Sequence, residues 1–577
     1  MKDLDITKKW IKFLFKPFVK NILIMVLCTI IIIICGFVSP FITKNIVDKG
    51  ILLKDVNSIL YYLICSLLVY VIQYFAELLQ FVFYKPICVE IPNKLNEMAW
   101  THVLKIRIKY FKERNFSEIL AENMQDIGNI SSLIDSNFLT SIVYLVKIIA
   151  GFAALTYISP YLAIILVFVS PIKLVLNKKF YIKKVEINKD LLYKQTKFSK
   201  WIGDCVSGIL EIKMWDIVED KKMELDDILR MFKLIRNKLL NLGFIEAFLS
   251  SLLIIMANTG IYMVGGILVI RGKLTLGGLL AFISYSSFVF EPLEIVSGIL
   301  NKLAVVNPSV YRFDKFMNTE IEEDSIRDIN LKKDFSIESL KFEKINFSYE
   351  NNVKILNNLS FTIKKNEIVG LVGNNGSGKS SIINLVTRFY DSYDGAIMIN
   401  NFNIKNIKIK SYRKILALMS QNNYIFNDTI ANNINITNKL EGEQIKLYGE
   451  LSGLDKSIQG ISEKYDYIVG FNGQKLSGGQ RQKLSMARVL SKTDAKILIL
   501  DEATSNYDIS SSNNLINSII DNNNYDIVII ITHQPEILKK LKRLIFIKDG
   551  KVYADGNYDE LIRNEEFKIV IDKNKSK

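Results

Sequence analysis

The chain contains few residues of the kinds that staple small secreted proteins or ligate metals. Its 577 residues include five cysteines, two histidines and nine prolines. No two cysteines form a CxxC pair, and none lies in the C-terminal half. This usage argues against a disulfide framework, a zinc site and a histidine–metal centre. The low proline content, together with only 29 glycines, excludes a collagen-like or low-complexity chain.

Hydrophobic and basic residues are abundant instead. The chain is 49% hydrophobic and 11% aromatic, which excludes a wholly disordered protein. Its net charge is +15 and its mean hydropathy is +0.20. A basic chain can bind nucleic acid, but basic cytoplasmic loops of a membrane protein explain the charge and the hydropathy together. We therefore expect a lipid bilayer as partner, and no nucleic acid.

Six apolar stretches are long enough to cross a bilayer core, which takes about 20 residues in a helix. They lie at about residues 21–43, 56–82, 132–158, 160–182, 244–270 and 274–300. Since five spans follow the first one, the first is not a signal peptide. Residues 1–317 are therefore predicted to form an all-α transmembrane domain.

The connections between the spans predict the orientation in the membrane. Lysine and arginine cluster between spans 2 and 3 and between spans 4 and 5, whereas the other connections are short. Because basic loops stay on the cytoplasmic side, both termini are expected in the cytoplasm. The two basic connections contain hardly any glycine or proline, which indicates helices that continue well past the membrane.

The last third of the chain has a different pattern. Residues 318–335 are polar and are predicted to be a linker. From residue 336 to 577, short apolar runs alternate with helical stretches, as in an α/β domain with a buried parallel sheet. The predicted strands include residues 368–371, 415–419, 497–500, 527–531 and 544–547.

A phosphate-binding loop follows the first of these strands. The sequence fits G-x-x-x-x-G-K-[ST] between a strand and a helix, the context that this motif requires. Backbone N–H groups of such a loop surround phosphate oxygens, Lys379 contacts the β- and γ-phosphates, and Ser380 is placed to ligate Mg²⁺. The predicted ATP-binding residues here are Gly373, Asn374, Asn375, Gly376, Ser377, Gly378, Lys379, Ser380 and Ser381.

Two carboxylates end the strand at residues 497–500. Because a strand end is rigid, Asp501 can hold the metal ion while Glu502 faces the attacking water. Between the two motifs, Ser477, Gly478, Gly479 and Gln480 open another helix, whose N-terminus is suited to bind phosphate. One nucleotide needs only one such cradle. The second therefore indicates a nucleotide that is held by another copy of the domain.

The sequence LSGGQ between these two motifs resembles the signature of ATP-binding cassette (ABC) proteins. The resemblance implies an adenine-stacking aromatic residue, matched by Tyr349, and a Q-loop glutamine that contacts Mg²⁺, matched by Gln421. It also implies a switch histidine at the γ-phosphate, matched by His533. Glu502 and His533 are thus the expected catalytic residues, with ATP and Mg²⁺ as cofactors. Ser380, Gln421 and Asp501 are the expected metal ligands.

Six spans followed by one cassette resemble an exporter-type half-transporter. The resemblance implies a P-loop α/β cassette, a homodimer that sandwiches two ATP molecules, and coupling helices near residues 93–99 and 207–213. A heterodimer with another half-transporter is the alternative. Two segments depart from the family pattern: Asn506 and Tyr507 stand within the segment where SALD is usual, and Phe471 stands where a glutamate usually follows V-G.

The cargo is expected to be a peptide, a drug-like molecule or another amphipathic compound. Charges inside spans are costly and suggest function, which singles out Lys147, Glu291 and Glu294 as candidate cavity residues. Glu291 and Glu294 share one helix face and would favour cationic or peptide cargo. The alternative is that they lie at the headgroup level or pair with basic groups. A lipid flippase and a regulatory membrane ATPase are the competing functions.

Overall fold

The computed structural model describes residues 2–113, 116–132, 134, 141–322, 324, 329–331, 335–349, 353–421, 423–521 and 524–575. Its internal contacts divide the chain into two compact units. The membrane unit comprises Met1–Ile106 and Tyr110–Ile321, and the cassette unit comprises Arg107–Lys109 and Glu322–Lys577. Part of the predicted linker, residues 323, 325–328 and 332–334, lies outside the described residues.

The described secondary structure of the membrane unit is helical. In chain order the helices are α1 (Lys2–Phe15), α2 (Val19–Asn45), α3 (Val56–Val103), α4 (Ile108–Glu113), α5 (Phe116–Ser131), α6 (Ser141–Ile158), α7 (Pro160–Ser207), α8 (Ile209–Met214), α9 (Val218–Ile270) and α10 (Leu276–Met317). Local sequence sets several starts: Asp55 caps α3, Pro160 opens α7, and Thr275 caps α10 by accepting a hydrogen bond from the Gly278 N–H at 2.9 Å.

Five stretches of the described helices are long and apolar enough to cross a membrane. They are Asp5–Ile51, Val56–Val103, Pro160–Ser207, Val218–Ile270 and Leu276–Met317. The third predicted span corresponds to α6, and residues 133 and 135–140 of that prediction lie outside the described residues. At 1.5 Å per residue, the 53 residues of α9 extend about 80 Å, far more than a bilayer core. Helix α9 is therefore long enough to continue well past a bilayer core; that it does so on the cytoplasmic side stays a prediction.

The prediction of one coupling helix was misplaced. Residues 93–99 lie inside α3, which ends only at Val103, and the short helix after it is α4. Pro86 and Pro92 are accommodated inside this long helix and do not end it. The other predicted position, residues 207–213, overlaps the short helix α8.

The cassette unit contains two sheets. A six-stranded sheet has the order β10-β9-β3-β8-β7-β6, in which β3 (Glu367–Val372), β6 (Leu416–Met419), β7 (Ile497–Asp501), β8 (Ile527–Ile531) and β9 (Arg543–Lys548) are parallel and β10 (Lys551–Gly556) is antiparallel. The second sheet is antiparallel and has the order β2-β1-β4-β5, formed by β1 (Ser339–Phe347), β2 (Leu356–Lys364), β4 (Asp394–Ile399) and β5 (Phe402–Asn403). Every residue of β8 is buried, as expected for a parallel strand covered on both faces.

Helices cover the parallel sheet and form a separate cluster beside it. They are α11 (Lys379–Val386), α12 (Ile409–Lys414), α13 (Ile430–Ile434), α14 (Gly442–Leu451), α15 (Leu454–Ser457), α16 (Gly478–Leu490), α17 (Ile509–Asp521), α18 (Pro535–Leu538), α19 (Tyr558–Leu561) and α20 (Glu565–Lys575). Residues of α13, α15 and α16 share a small hydrophobic core that includes Ile430, Leu454 and Leu484. We call the segment from α13 to α16 the helical subdomain.

Candidate functional site

The glycines of the phosphate loop (residues 373–381) are required by its geometry. Gly376 and Gly378 adopt φ angles of 83° and 108°, which side-chain-bearing residues rarely adopt. At Gly373, an added Cβ would lie 2.5 Å from the Ser377 Oγ. The loop leaves the carboxyl end of β3 and leads into α11, so its backbone N–H groups and the positive end of the helix dipole lie together.

Two observations indicate that the phosphate loop fits an anion. The Oγ of Ser377 is buried and has no hydrogen-bond partner in the described part of the chain. The Lys379 Nζ donates to the carbonyl oxygens of Gly373 and Asn374 at 2.6 and 2.9 Å. Burial lowers the pKa of Lys379, while the nearby charges of Glu502 and Asp501 partly oppose that shift. A phosphate group would supply an acceptor for both side chains.

The acidic pair lies at the carboxyl end of β7. Burial, followed by repulsion from Glu502, raises the pKa of Asp501 to about 6, and Lys379 partly counteracts this. A partly buried carboxyl whose pKa is raised in this way fits a cation. The hydroxyl of Ser380, the amide oxygen of Gln421 and the carboxylate of Asp501 are oxygen donors of the kind that Mg²⁺ prefers.

The structure brings Gln421 and His533 to Glu502. The Gln421 Nε2 donates to a carboxylate oxygen of Glu502 at 2.9 Å. The His533 Nε2 lies 3.7 Å from the other carboxylate oxygen. Burial, then the charge of Lys379, lowers the pKa of His533, so the imidazole is neutral at pH 7. Glu502 itself has a φ of 50°, a strained conformation for a residue with a side chain.

Tyr349 is held beside the first turn of α11. Its hydroxyl lies 3.1 Å from the Ser381 Oγ and accepts a hydrogen bond from the Asn384 Nδ2 at 2.7 Å. The edge of its ring contacts Tyr390, with the ring centroids 5.0 Å apart. These contacts fix an aromatic ring next to the phosphate loop; its stacking on adenine stays a prediction.

The signature, Ser477 to Gln480, opens α16 with a capping box. The Ser477 Oγ accepts from the Gln480 N–H at 3.2 Å, and the Gln480 Oε1 accepts from the Ser477 N–H at 2.9 Å. The Gln480 Nε2 donates to the Ser457 carbonyl at 2.8 Å. Among the described residues, none of the signature's side-chain hydrogen bonds reaches residues 373–381. The same chain therefore presents two separate phosphate cradles.

Comparison with known families matches both halves of the chain. Residues 22–293 match the family model of the ABC transporter transmembrane region, and residues 356–505 match the family model of the ABC transporter. The chain belongs to the ABC transporter family. It is a half-transporter with an ATP-hydrolysing cassette, and it resides in a membrane and pairs with another half-transporter.

Relatives of this ABC transporter match over most of its length. A candidate export ATP-binding/permease protein of Rickettsia bellii is 28% identical over 566 residues, covering 95% of each chain. An ATP-dependent lipid A-core flippase of Vibrio vulnificus is 28% identical over 487 residues, covering 82% of this chain and 81% of the flippase. The structure of a bacterial Atm1-family ABC exporter with ATP bound superposes with a TM-score of 0.86 at 20% identity, covering 97% and 98% of the two chains. These likenesses support the exporter fold and ATP-driven export.

The two departures from the ABC pattern have different surroundings. Phe471 is 67% exposed and joins a surface group of aromatic rings with Tyr424 and Phe426. Tyr507 is buried, and its hydroxyl donates to the carbonyl of Ser452 in the helical subdomain at 3.1 Å. The sequence does not single out Gln482, which contacts the segment around Tyr507. A glutamine near the polar start of a helix has no distinguishing pattern.

In the membrane unit of the ABC transporter, the three candidate cavity residues are paired with opposite charges. Lys147 of α6 lies 2.5 Å from Glu291 of α10, and Lys173 of α7 lies 3.2 Å from Glu294. The Lys147 side chain is only 11% exposed, whereas those of Glu291 and Glu294 are 51% and 58% exposed. Each carboxylate thus pairs with a buried ammonium group, while the carboxylate itself remains about half exposed.

A cavity of about 1260 Å³ lies between α4, α5, α7 and α10. The guanidinium of Arg312 forms one wall, donating to Asp126 at 2.6 Å and to the Thr196 Oγ1 at 3.0 Å. Tyrosine rings contribute much of the remaining lining, from Tyr110, Tyr193 and Tyr311. The cavity therefore offers aromatic surface together with groups of both charges.

Proposed function

We propose that the chain works as a homodimeric exporter in the cell membrane, with the cassette and both termini in the cytoplasm. One observation carries the proposal: Gln421, Glu502 and His533 meet beside Lys379 and Asp501, while the signature of the same chain lies apart from the phosphate loop. The hydrolytic groups are thus assembled within one cassette, and the second cradle is available to the partner's nucleotide.

The geometry supports hydrolysis at each of two equivalent sites. The loop N–H groups, Ser377 and Lys379 would bind the phosphates of ATP. Mg²⁺, held by Ser380, Gln421 and Asp501, would neutralise charge on the β- and γ-phosphates. Glu502 would orient the attacking water and accept its proton as ADP leaves, while Gln421 and His533 hold the carboxylate in place.

We propose that cargo enters from the cytoplasm and contacts the exposed carboxylates of Glu291 and Glu294. A carboxylate facing lipid is costly, so this face of α10 is better suited to a water-filled cavity. The tyrosine-lined cavity around Arg312 lies about 27 to 32 Å further along α10, so it would be a separate contact for the apolar part of cargo on its way to these carboxylates. Cationic amphipathic compounds and peptides are therefore the preferred class.

Lipid flipping is the second candidate function. The likeness to the lipid A-core flippase favours lipid flipping. A lipid is also amphipathic, and the same alternating-access cycle would move it. A regulatory ATPase that moves no cargo is the third candidate function.

ATP turnover in nanodiscs tests the proposal. The purified protein is assayed with peptides, cationic drugs and lipids, with Glu502→Gln as the inactive control. We expect stimulation by one class of compound, and loss of this stimulation in Tyr311→Ala with unchanged basal turnover. Uptake of the stimulating compound into inside-out vesicles would distinguish transport from regulation. Wild-type protein without ATP turnover would contradict the homodimer.

A further inference from the structure

The segment that follows the catalytic carboxylate is bound by one side chain of the signature helix. The Gln482 Nε2 donates to the Glu502 carbonyl at 3.1 Å and to the Ser505 Oγ at 3.2 Å. The Gln482 Oε1 accepts from the Asn506 N–H at 2.9 Å. A single amide therefore holds both ends of the turn from Glu502 to Asn506 against α16.

The residue after this turn is bound to the helical subdomain as well. Tyr507 is 8% exposed and donates its hydroxyl to the Ser452 carbonyl at 3.1 Å. The Lys483 Nζ lies 5.5 Å from the centre of its ring and donates to the Ser457 Oγ at 2.7 Å. Ser457 also accepts the hydrogen bond from Gln480 of the signature. The signature and the turn after Glu502 thus share the same support.

We propose that Gln482 and Tyr507 are positioning residues, which set the orientation of the Glu502 carboxylate relative to the signature helix. The backbone of Glu502 is strained and therefore needs external contacts to stay in place. Leucine, the usual residue at the position of Tyr507, cannot donate to Ser452, so this contact is a particular device of this chain. The inference rests on the proposed function for the role of Glu502.

A double-mutant cycle with matched tyrosine variants tests the proposal. Tyr507→Phe removes only the hydroxyl, and Tyr412→Phe is its control, since the buried Tyr412 hydroxyl donates to the Val386 carbonyl at 2.5 Å in the same unit. We expect Tyr507→Phe and Gln482→Leu to lower kcat about tenfold or more with KM for ATP unchanged. Tyr412→Phe should lower thermal stability by a similar amount and leave kcat unchanged.

Residual hydrolysis in the Glu502→Gln background, measured with radiolabelled ATP, separates positioning from folding. If Tyr507 acts through Glu502, Tyr507→Phe causes no further loss there. An equal loss in both backgrounds, or a kcat equal to that of Tyr412→Phe, would overturn the proposal. Tyr507→Leu, which restores the usual residue, keeps the test open if Tyr507→Phe fails to fold. Wild-type protein without turnover would instead contradict the proposed function.

Discussion

The carboxyl group of Asp501 makes the hydrolysis site sensitive to pH. Its pKa is raised to about 6, so without a bound cation it takes up a proton between pH 7 and pH 5. The protonated carboxyl binds Mg²⁺ poorly, and Mg²⁺ binding in turn favours the ionised form. The pH dependence of ATP turnover should therefore depend on the Mg²⁺ concentration.

We expect turnover at limiting Mg²⁺ to fall as the pH drops below about 6, and this acid limb to move to lower pH as Mg²⁺ rises. Folding stability changes in the opposite direction. Because the pKa of Asp501 is higher in the folded than in the unfolded protein, the free energy of unfolding of the Mg²⁺-free protein falls as the pH rises from about 4 to about 6. ATPase profiles at several Mg²⁺ concentrations check the first expectation. An acid limb that ignores Mg²⁺ would show that another group controls it.

The residues expected to contact phosphate could be identified from the sequence because their arrangement follows from local spacing. Residues 373–381 are consecutive, and Asp501 and Glu502 end one strand, so the chain itself places them. The contacts of Gln482 and Tyr507 could not be predicted in this way. They join residues 20 to 55 positions apart, and only the packing of the helical subdomain brings these together.

Ion pairs join α10 to its neighbouring helices, and the two side chains of such a pair are buried to different extents. Lys147 of α6 is nearly buried, whereas its partner Glu291 is half exposed. Removing the carboxylate would leave a buried ammonium without its counter-ion. Removing the ammonium would leave a carboxylate that water can solvate. The two single substitutions should therefore differ in cost.

We expect Glu291→Gln to destabilise the membrane unit by about 3 to 5 kcal/mol and Lys147→Met by clearly less. The combination Glu291→Gln with Lys147→Met should recover most of the loss. Thermal unfolding of the detergent-solubilised protein measures the order of the three variants. If Lys147→Met proved the more damaging change, the ammonium would have a role beyond pairing with Glu291.

At the level of elements, strands were easier to predict than helix ends. The five predicted strands differ from the observed ones by at most two residues, because buried apolar runs end where the sheet ends. The fourth predicted span ends near residue 182 and the fifth begins near residue 244, whereas α7 continues to Ser207 and α9 begins already at Val218. Hydropathy identifies only the apolar parts of these helices, since the remaining parts are polar but still favour the helix.

The whole molecule is a half-transporter. We propose that each of its ATP sites combines the phosphate loop of one cassette with the signature of its partner. Lys379→Ala disables a phosphate loop, and Gly478→Asp disables a signature by placing a carboxylate where phosphate would bind. Two kinds of mixed dimer place these changes in different sites.

ATP turnover of these mixed dimers, isolated with two affinity tags, shows which cassette supplies the signature to each site. Pairing a Lys379→Ala chain with a Gly478→Asp chain puts both defects in one composite site and leaves the other intact. Pairing a double-variant chain with a wild-type chain damages both sites. We predict turnover in the first dimer and its loss in the second. Turnover only in the second dimer would show that each cassette uses its own signature and that the ATP sites are not shared between the two chains.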